Sequence, residues 1–223
     1  MKIKKLYGVN GARKASGIVV IVDILRAASF EATALTCGAE KILPVGTKNK
    51  AIELKNKNPE YLIAGEEDGY KIDGFDLGNS PSELLKLDLN GKTIVHRSTQ
   101  GTQGLINAVN ADELIFGSFL TLSAIKNYIL GKNVNLVSIV AMGGPGGEDD
   151  QFAFFLKKEL NGNKQDIEKV KKYLKIHKDL SNYFDPNDDN FPLDDFEVCL
   201  DLDRFDFFCK VENKNGELIT IKG

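Results

Sequence analysis

"GIVVIVDILRAASFEATAL" occupies residues 17–35 and decides the fold. Its opening is an apolar run rich in β-branched residues, the pattern of a strand buried on both faces of a parallel sheet. Asp23 and Arg26 then interrupt the run, three residues apart, before small and apolar residues resume. A carboxylate and a guanidinium at the edge of a core are costly unless they pair or serve a ligand. The stretch therefore predicts a strand over 18–24, a charged pair at its carboxyl end, and a helix over 29–37 closed by Gly38.

The same alternation continues outward. Strands are predicted over 41–45, 61–64, 92–97, 113–116 and 134–142. Helices are predicted over 48–57, 101–109, 120–130 and 148–160, and another in "SPSELLKL", with Ser80 as N-cap and Pro81 at the first helical position. Short βα units without long linkers imply an α/β fold of three layers, α/β/α, with a largely parallel sheet. The last third differs. Residues 166–179 carry Val170, Tyr173, Leu174 and His177 at helical spacing among lysines, as in a surface helix. "FDPNDDNFPLDDFE" (184–197) reads as an acidic, solvated loop, and residues 205–221 as a hairpin closed by Asn215-Gly216, giving the C-terminal part a mixed sheet. The chain is read as one domain over 1–223, with a subdomain boundary near residue 160.

Composition narrows the function classes. The 223 residues are 42% hydrophobic and 27% charged, with a formal net charge of −3. No basic stripe supports nucleic-acid binding. No apolar run is long enough to span a bilayer, and the basic N-terminus lacks the apolar core of a signal peptide, so a cytoplasmic protein is expected. Cys37, Cys199 and Cys209 are widely spaced and read as small buried hydrophobes, not a disulfide framework. The oligomeric state, homo-oligomer included, is left open.

Ligands of open α/β sheets bind beyond the carboxyl ends of the strands. The residues delivered there are Asp23 and Arg26, then Glu66 with Glu67 and Asp68, then "HRSTQGT" (96–102), then Gly117 and Ser118, then "GGPGGEDD" (143–150). Carboxylates at Asp23, Glu66, Glu148 and Asp149 are hard oxygen ligands suited to Mg²⁺. Glycine-rich turns into helices offer backbone N–H groups to an anion, and Arg26 can grip a phosphate with two hydrogen bonds. The set points to a Mg²⁺-assisted reaction on a small phosphorylated molecule. Each member also has a plainer reading: a structural Asp23–Arg26 ion pair, a solvated acidic loop, a capped helix start at Thr99, acids favoured by a helix dipole. His96 reads as a strand-end filler and His177 as a surface residue. No phosphate-binding P-loop, dinucleotide fingerprint or H-E-x-x-H zinc motif is present.

Five ordered segments resemble a known family. They are "VDILRAASFEATAL", "AGEEDGYKIDGFDLGNSPSEL" (64–84), "STQGTQGL" (98–105), "GGEDDQFA" (146–153) and "CLDLDRFDFFCKV" (199–211). Together they are similar to the motifs of the 2-phosphosulfolactate phosphatases, the ComB family of coenzyme M biosynthesis. The G-F-D-L-G-N-S-P string is the most specific. The resemblance implies a Mg²⁺-dependent phosphatase with an α/β/α fold. Matched position by position, it implies catalytic roles for Asp23, Arg26 and Glu66. It implies substrate binding by Asn79, Ser80, Thr99, Gly101 and Thr102, and metal binding by Asp23, Glu66, Glu148 and Asp149. Two positions depart from the family pattern: Glu67 stands where an arginine is usual, and Gln100 where an asparagine is usual. Arg97 is the expected substitute for the missing positive charge.

The resulting expectation is hydrolysis of 2-phosphosulfolactate, or a related phosphorylated hydroxy acid, with Asp23 as metal ligand or as nucleophile. It requires Asp23, Glu66 and Glu148 to lie within coordinating reach of one another. The alternative is a non-catalytic binder of an anionic metabolite that uses the same loops.

Overall fold

The computed structural model describes residues 1–223. The chain opens with β1 (Lys2–Tyr7) and α1 (Gly8–Lys14), then β2 (Gly17–Val22), α2 (Ala27–Thr36), β3 (Lys41–Pro44) and α3 (Lys48–Lys57). Next come β4 (Leu62–Glu67), β5 (Tyr70–Lys71), α4 (Pro81–Leu84), β6 (Thr93–Arg97) and α5 (Gly101–Asn107). They are followed by β7 (Ala111–Gly117), α6 (Leu122–Gly131), β8 (Leu136–Ala141) and α7 (Glu148–Leu160). The C-terminal third holds α8 (Ile167–Leu174), α9 (Leu193–Cys199) and the hairpin β9 (Cys209–Lys214) and β10 (Glu217–Lys222).

The ten strands follow the order β1-β8-β2-β7-β9-β10-β3-β6-β4-β5. Two parallel blocks, β1-β8-β2-β7 and β3-β6-β4, are joined by the antiparallel hairpin. Antiparallel pairings at β7–β9, β9–β10 and β10–β3 reverse the strand sense three times, so the blocks run in opposite senses. The joint to the second block is narrow: β10 meets β3 in register only at Thr220 and Ile42. The fold is α/β with a mostly parallel central sheet and a mixed C-terminal part.

β2 shows why its sequence makes a central strand. Val19 and Ile21 enter the core beneath α2 and α5, while Ile18, Val20 and Val22 enter the core beneath α6 and α7. All five are buried. The two-residue period thus feeds two apolar layers from one strand. Gly17 opens it at φ +78°, with its missing Cβ position only 2.3 Å from the Leu136 carbonyl oxygen, so only glycine fits there.

The structure departs from the sequence reading at several places. Residues 2–7, passed over as a basic N-terminus, form an edge strand parallel to β8. The helix begun at Ser80 lasts only four residues, because Leu85 and Leu87 beyond it are exposed and give it no apolar face. The expected helix over 166–179 ends at Leu174 and resumes as a 3₁₀ segment, Lys178–Phe184. The acidic stretch is not all solvated loop: its end forms α9, and Asp195 there is fully buried. Beyond residue 160 the chain returns to the sheet through the hairpin. Cys199 and Cys209 are buried and Cys37 is half-buried, all as free thiols.

Candidate active site

The carboxyl ends of β2, β4, β6 and β8 open into one cleft of about 230 Å³. It is walled by Asp23, Arg26, Glu66, Asn79, Thr99, Glu148 and Asp149, with Asp68, Gly69, Gln100, Gly143, Leu25 and Phe191. Of the residues singled out from sequence, those first seven meet here. Ser80, Arg97, Gly101 and Thr102 do not line the cleft and stand behind its wall.

Asp23 follows β2 and keeps part of its surface open. Its Oδ1 accepts a hydrogen bond from the Ala27 N–H at 3.3 Å, while Oδ2 accepts none within the protein. Burial and the neighbouring Glu66 charge push its carboxyl up to about 7. Gly101 backs it closely: a Cβ there would lie 2.7 Å from Asp23 Oδ2 and 2.7 Å from the Phe116 ring.

Arg26 is buried and does not pair with Asp23. Its Nη1 donates to Asp195 Oδ2 at 3.0 Å and to the Asn190 carbonyl at 2.8 Å, and its Nη2 donates to the Gly69 carbonyl at 2.7 Å. The guanidinium lies 5.2 Å from the centre of the Phe191 ring. A guanidinium has five N–H donors, so Nε and one Nη2 hydrogen remain for an anion.

Glu66 sits at the end of β4, not in a loop, with β5 turning back on it. Its Oε1 accepts from the Thr99 N–H at 2.6 Å, and Oε2 accepts from the Gly69 N–H at 2.6 Å and Thr99 Oγ1 at 3.0 Å. Thr99 is thus tied to Glu66 and is not the cap of α5. Ser98 and Thr102 close that helix start reciprocally, through Ser98 N to Thr102 Oγ1 and Thr102 N to Ser98 Oγ, both 3.0 Å.

Asp149 is buried and splints two strand ends: Oδ1 accepts from the Ile24 N–H at 2.7 Å and Oδ2 from the Gly143 N–H at 2.8 Å. Burial, then the charges of Glu148 and Asp23, hold its carboxyl well above the usual range. Burial, with Asp179 adding to it, also raises Glu148. No three His, Cys, Asp or Glu side chains converge closely enough to enclose a cation. The expected coordinating trio of Asp23, Glu66 and Glu148 therefore shares a cleft without forming a closed cage, because Glu66 is turned toward its backbone and hydroxyl donors.

Arg97 is turned away from the cleft. It donates to the Glu66 carbonyl, to Thr99 Oγ1 at 3.3 Å and to Glu67 Oε1 at 3.2 Å. The acid at position 67 is thus an exposed partner for Arg97.

Sequence reasoning missed Asp195, Phe191 and Gly69. Asp195 holds Arg26 with one oxygen, and with the other accepts from Ser80 Oγ at 2.7 Å and the Ser82 N–H at 2.9 Å. The signal was present in Phe196, Cys199 and Leu200, whose helical spacing marks an inward face next to Asp195. It was hidden by the acidic run before it.

A sequence model of the 2-phosphosulpholactate phosphatase family matches residues 7–214. The chain belongs to this family. It is 34% identical over 226 residues to a protein of Caldanaerobacter subterraneus subsp. tengcongensis, covering 87% of this chain and 88% of that one. It is 29% identical over 229 residues to one of Bacillus subtilis, covering 100% and 98%. A relative in Carboxydothermus hydrogenoformans is 44% identical over 154 residues, 69% of this chain and 62% of that one. All three bear the name "Probable 2-phosphosulfolactate phosphatase". The family match spans every strand of the cleft: β2, β4, β6 and β8 all lie within it.

Proposed function

We propose that this chain is a Mg²⁺-dependent phosphatase that hydrolyses 2-phosphosulfolactate to sulfolactate and phosphate. Such an activity would serve coenzyme M biosynthesis, in the cytoplasm. No helix is long and apolar enough to cross a membrane. The observation that carries the reading is the charge of the cleft: five carboxylates, Asp23, Glu66, Asp68, Glu148 and Asp149, face a single arginine. An anionic substrate is repelled by such a surface unless a cation lies between them. The donor chemistry suits Mg²⁺, which takes one or two carboxylates and fills its other positions with water and phosphate oxygens, so it needs no closed cage.

Asp23 and Glu148 fit as the direct ligands. Asp23 Oδ2 accepts no hydrogen bond within the protein, and Glu148 opens α7 beside it. When bound, Mg²⁺ would polarise the phosphoryl group and offset the charge that builds on it. Arg26, fixed by Asp195, Asn190 and Gly69, offers its remaining donors to the substrate's oxygens. Glu66 holds Thr99 and Gly69 in place, and Asp149 keeps the ends of β2 and β8 together, so the walls are set before substrate arrives.

The test is phosphate release from 2-phosphosulfolactate and a panel of phosphorylated hydroxy acids, with Mg²⁺ and after chelation. Release that disappears with the metal is the expected outcome. Binding without release would mark a non-catalytic binder of an anionic metabolite. Acid-quench trapping separates the two roles that fit Asp23. A phosphoenzyme in the wild type and none in Asp23→Asn makes it the nucleophile; none in either leaves attack to water.

A further inference from the structure

α2 is buried from Ala27 to Leu35, yet it carries a glutamate in its middle. Glu31 is fully buried, as is the residue it meets, His96 on β6. His96 Nδ1 lies 2.8 Å from Glu31 Oε1, and Nε2 lies 3.0 Å from Oδ1 of Asn79. The ring of Phe30 stacks on the imidazole, with centroids 4.7 Å apart, and fixes its plane. The second oxygen of Glu31 has no partner at all. A buried acid–imidazole pair with an orphan oxygen is a poor way to fill a core, since apolar residues of the same volume serve stability as well or better. The pair ends on a side chain of the cleft, because Asn79 lines it. Asn79 makes no other side-chain hydrogen bond. Its amide nitrogen is not sealed in the core either.

We propose that Glu31 and His96 are positioning residues that hold the Asn79 amide with its oxygen on the imidazole and its NH₂ turned into the cleft, as a donor to an anionic group of the substrate. With the acceptor Oδ1 of Asn79 on it, Nε2 must carry a proton, and Glu31 at Nδ1 supports that in one of two forms: a carboxylate accepting from Nδ1–H of an imidazolium, or a carboxylic acid donating to a bare Nδ1. Nε2–H then donates to Asn79 Oδ1, which settles which end of the amide is left for the ligand. The same amide turned over would present an oxygen to an anion and repel it. The inference rests on the phosphatase reading for the nature of the ligand, but the hydrogen-bond chain stands apart from it.

The chain has only two histidines, His96 and His177, so the ring nitrogens of ¹⁵N-histidine-labelled protein resolve residue by residue once His177→Gln removes one set. Wild-type His96 should show a protonated Nε2; a pyridine-like Nε2 overturns the proposal whatever the enzyme turns over. Glu31→Leu should let both neutral tautomers populate and give Nε2 a pyridine-like fraction, and Glu31→Gln, whose amide NH₂ can donate to Nδ1, should do so less. In kinetics, Asn79→Asp and Glu31→Leu should each lower kcat/KM for 2-phosphosulfolactate by roughly tenfold to a hundredfold, chiefly through KM, with Glu31→Gln recovering much of the loss. An equal fall for Glu31→Leu and Glu31→Gln, with melting temperatures unchanged, overturns the positioning role. Calorimetric titration with Mg²⁺ and inorganic phosphate supplies a readout without turnover. Asn79→Asp should weaken phosphate by the same factor, and unchanged affinity overturns the donor role. If no phosphorylated acid is hydrolysed while the nitrogen and phosphate results hold, the phosphatase reading fails and the positioning chain does not.

Discussion

Arg26 is bound to Asp195, a residue 169 positions further along the chain, at 3.0 Å, and not to Asp23 three positions back. The pair is sealed: the two side chains are 6% and 0% exposed. Asp195 also holds Ser80 and Ser82. One carboxylate therefore anchors the cleft's only arginine and the turn that follows Asn79.

Asp195→Ala leaves a buried guanidinium without its counter-charge. The expected cost is about 3–5 kcal/mol of stability. A thermal melt checks this, and kcat/KM should fall at least tenfold in any fraction that stays folded. A melt unchanged from wild type would refute the anchoring role.

Arg26→Lys keeps the charge but not the fork. One ammonium cannot reach Asp195, Asn190 and Gly69 and also meet an anion, so kcat/KM should drop roughly tenfold to a hundredfold. Steady-state kinetics across substrate concentration is the check, with the loss expected mostly in KM.

Gly101→Ala tests the backing of Asp23. The new Cβ would press on Asp23 Oδ2, on Phe116 and on Ala27, whose Cβ lies 2.9 Å away. Turnover should fall by at least tenfold and the melting temperature should drop, whereas Gly131→Ala, with open space around it, should change neither.

The metal-free protein should lose stability as pH rises. Asp23 titrates near 7 in the folded state and near 4 when unfolded, so between those values the folded state holds the extra proton. Stability contributed by that proton is present below about pH 4 and declines until about pH 7, after which it is flat. Denaturant melts from pH 5 to 8 in chelator should show this slope, and Asp23→Asn should flatten part of it. Adding Mg²⁺ should raise the melting temperature more at pH 8 than at pH 6, because the ion competes with protons for the same oxygens.

Much of this was legible in the sequence because it is local. The apolar period of β2, the glycine that follows α2 and the acids that follow the strands are all decided within a few residues. The grouping of Asp23 with Asp149 and of Glu66 with Thr99 was legible too, since the parallel strands of each block deliver their ends to one side; that the two oppositely directed blocks share one cleft was not. What escaped was long-range. The partner of Arg26 lies in a different third of the chain, inside a run of aspartates that otherwise faces water. His96 looked like filler because one isolated histidine in an apolar strand carries no sign of the glutamate opposite. The orientation of Glu66 escaped for a similar reason. Its acceptors are already occupied by the Thr99 and Gly69 N–H groups, and only the backbone path decides that.

The hairpin of β9 and β10 has a consequence for how the protein is made. These strands lie in the middle of the sheet but come after all its other strands in the chain. Until they emerge, β7 and β3 each present a raw edge, and the two blocks have no shared backbone. Assembly of the cleft must therefore wait until residues 209–222 have emerged. During that wait the nascent chain exposes two unpaired strand edges, the condition under which chaperone capture or mispairing with a neighbouring polypeptide competes with folding.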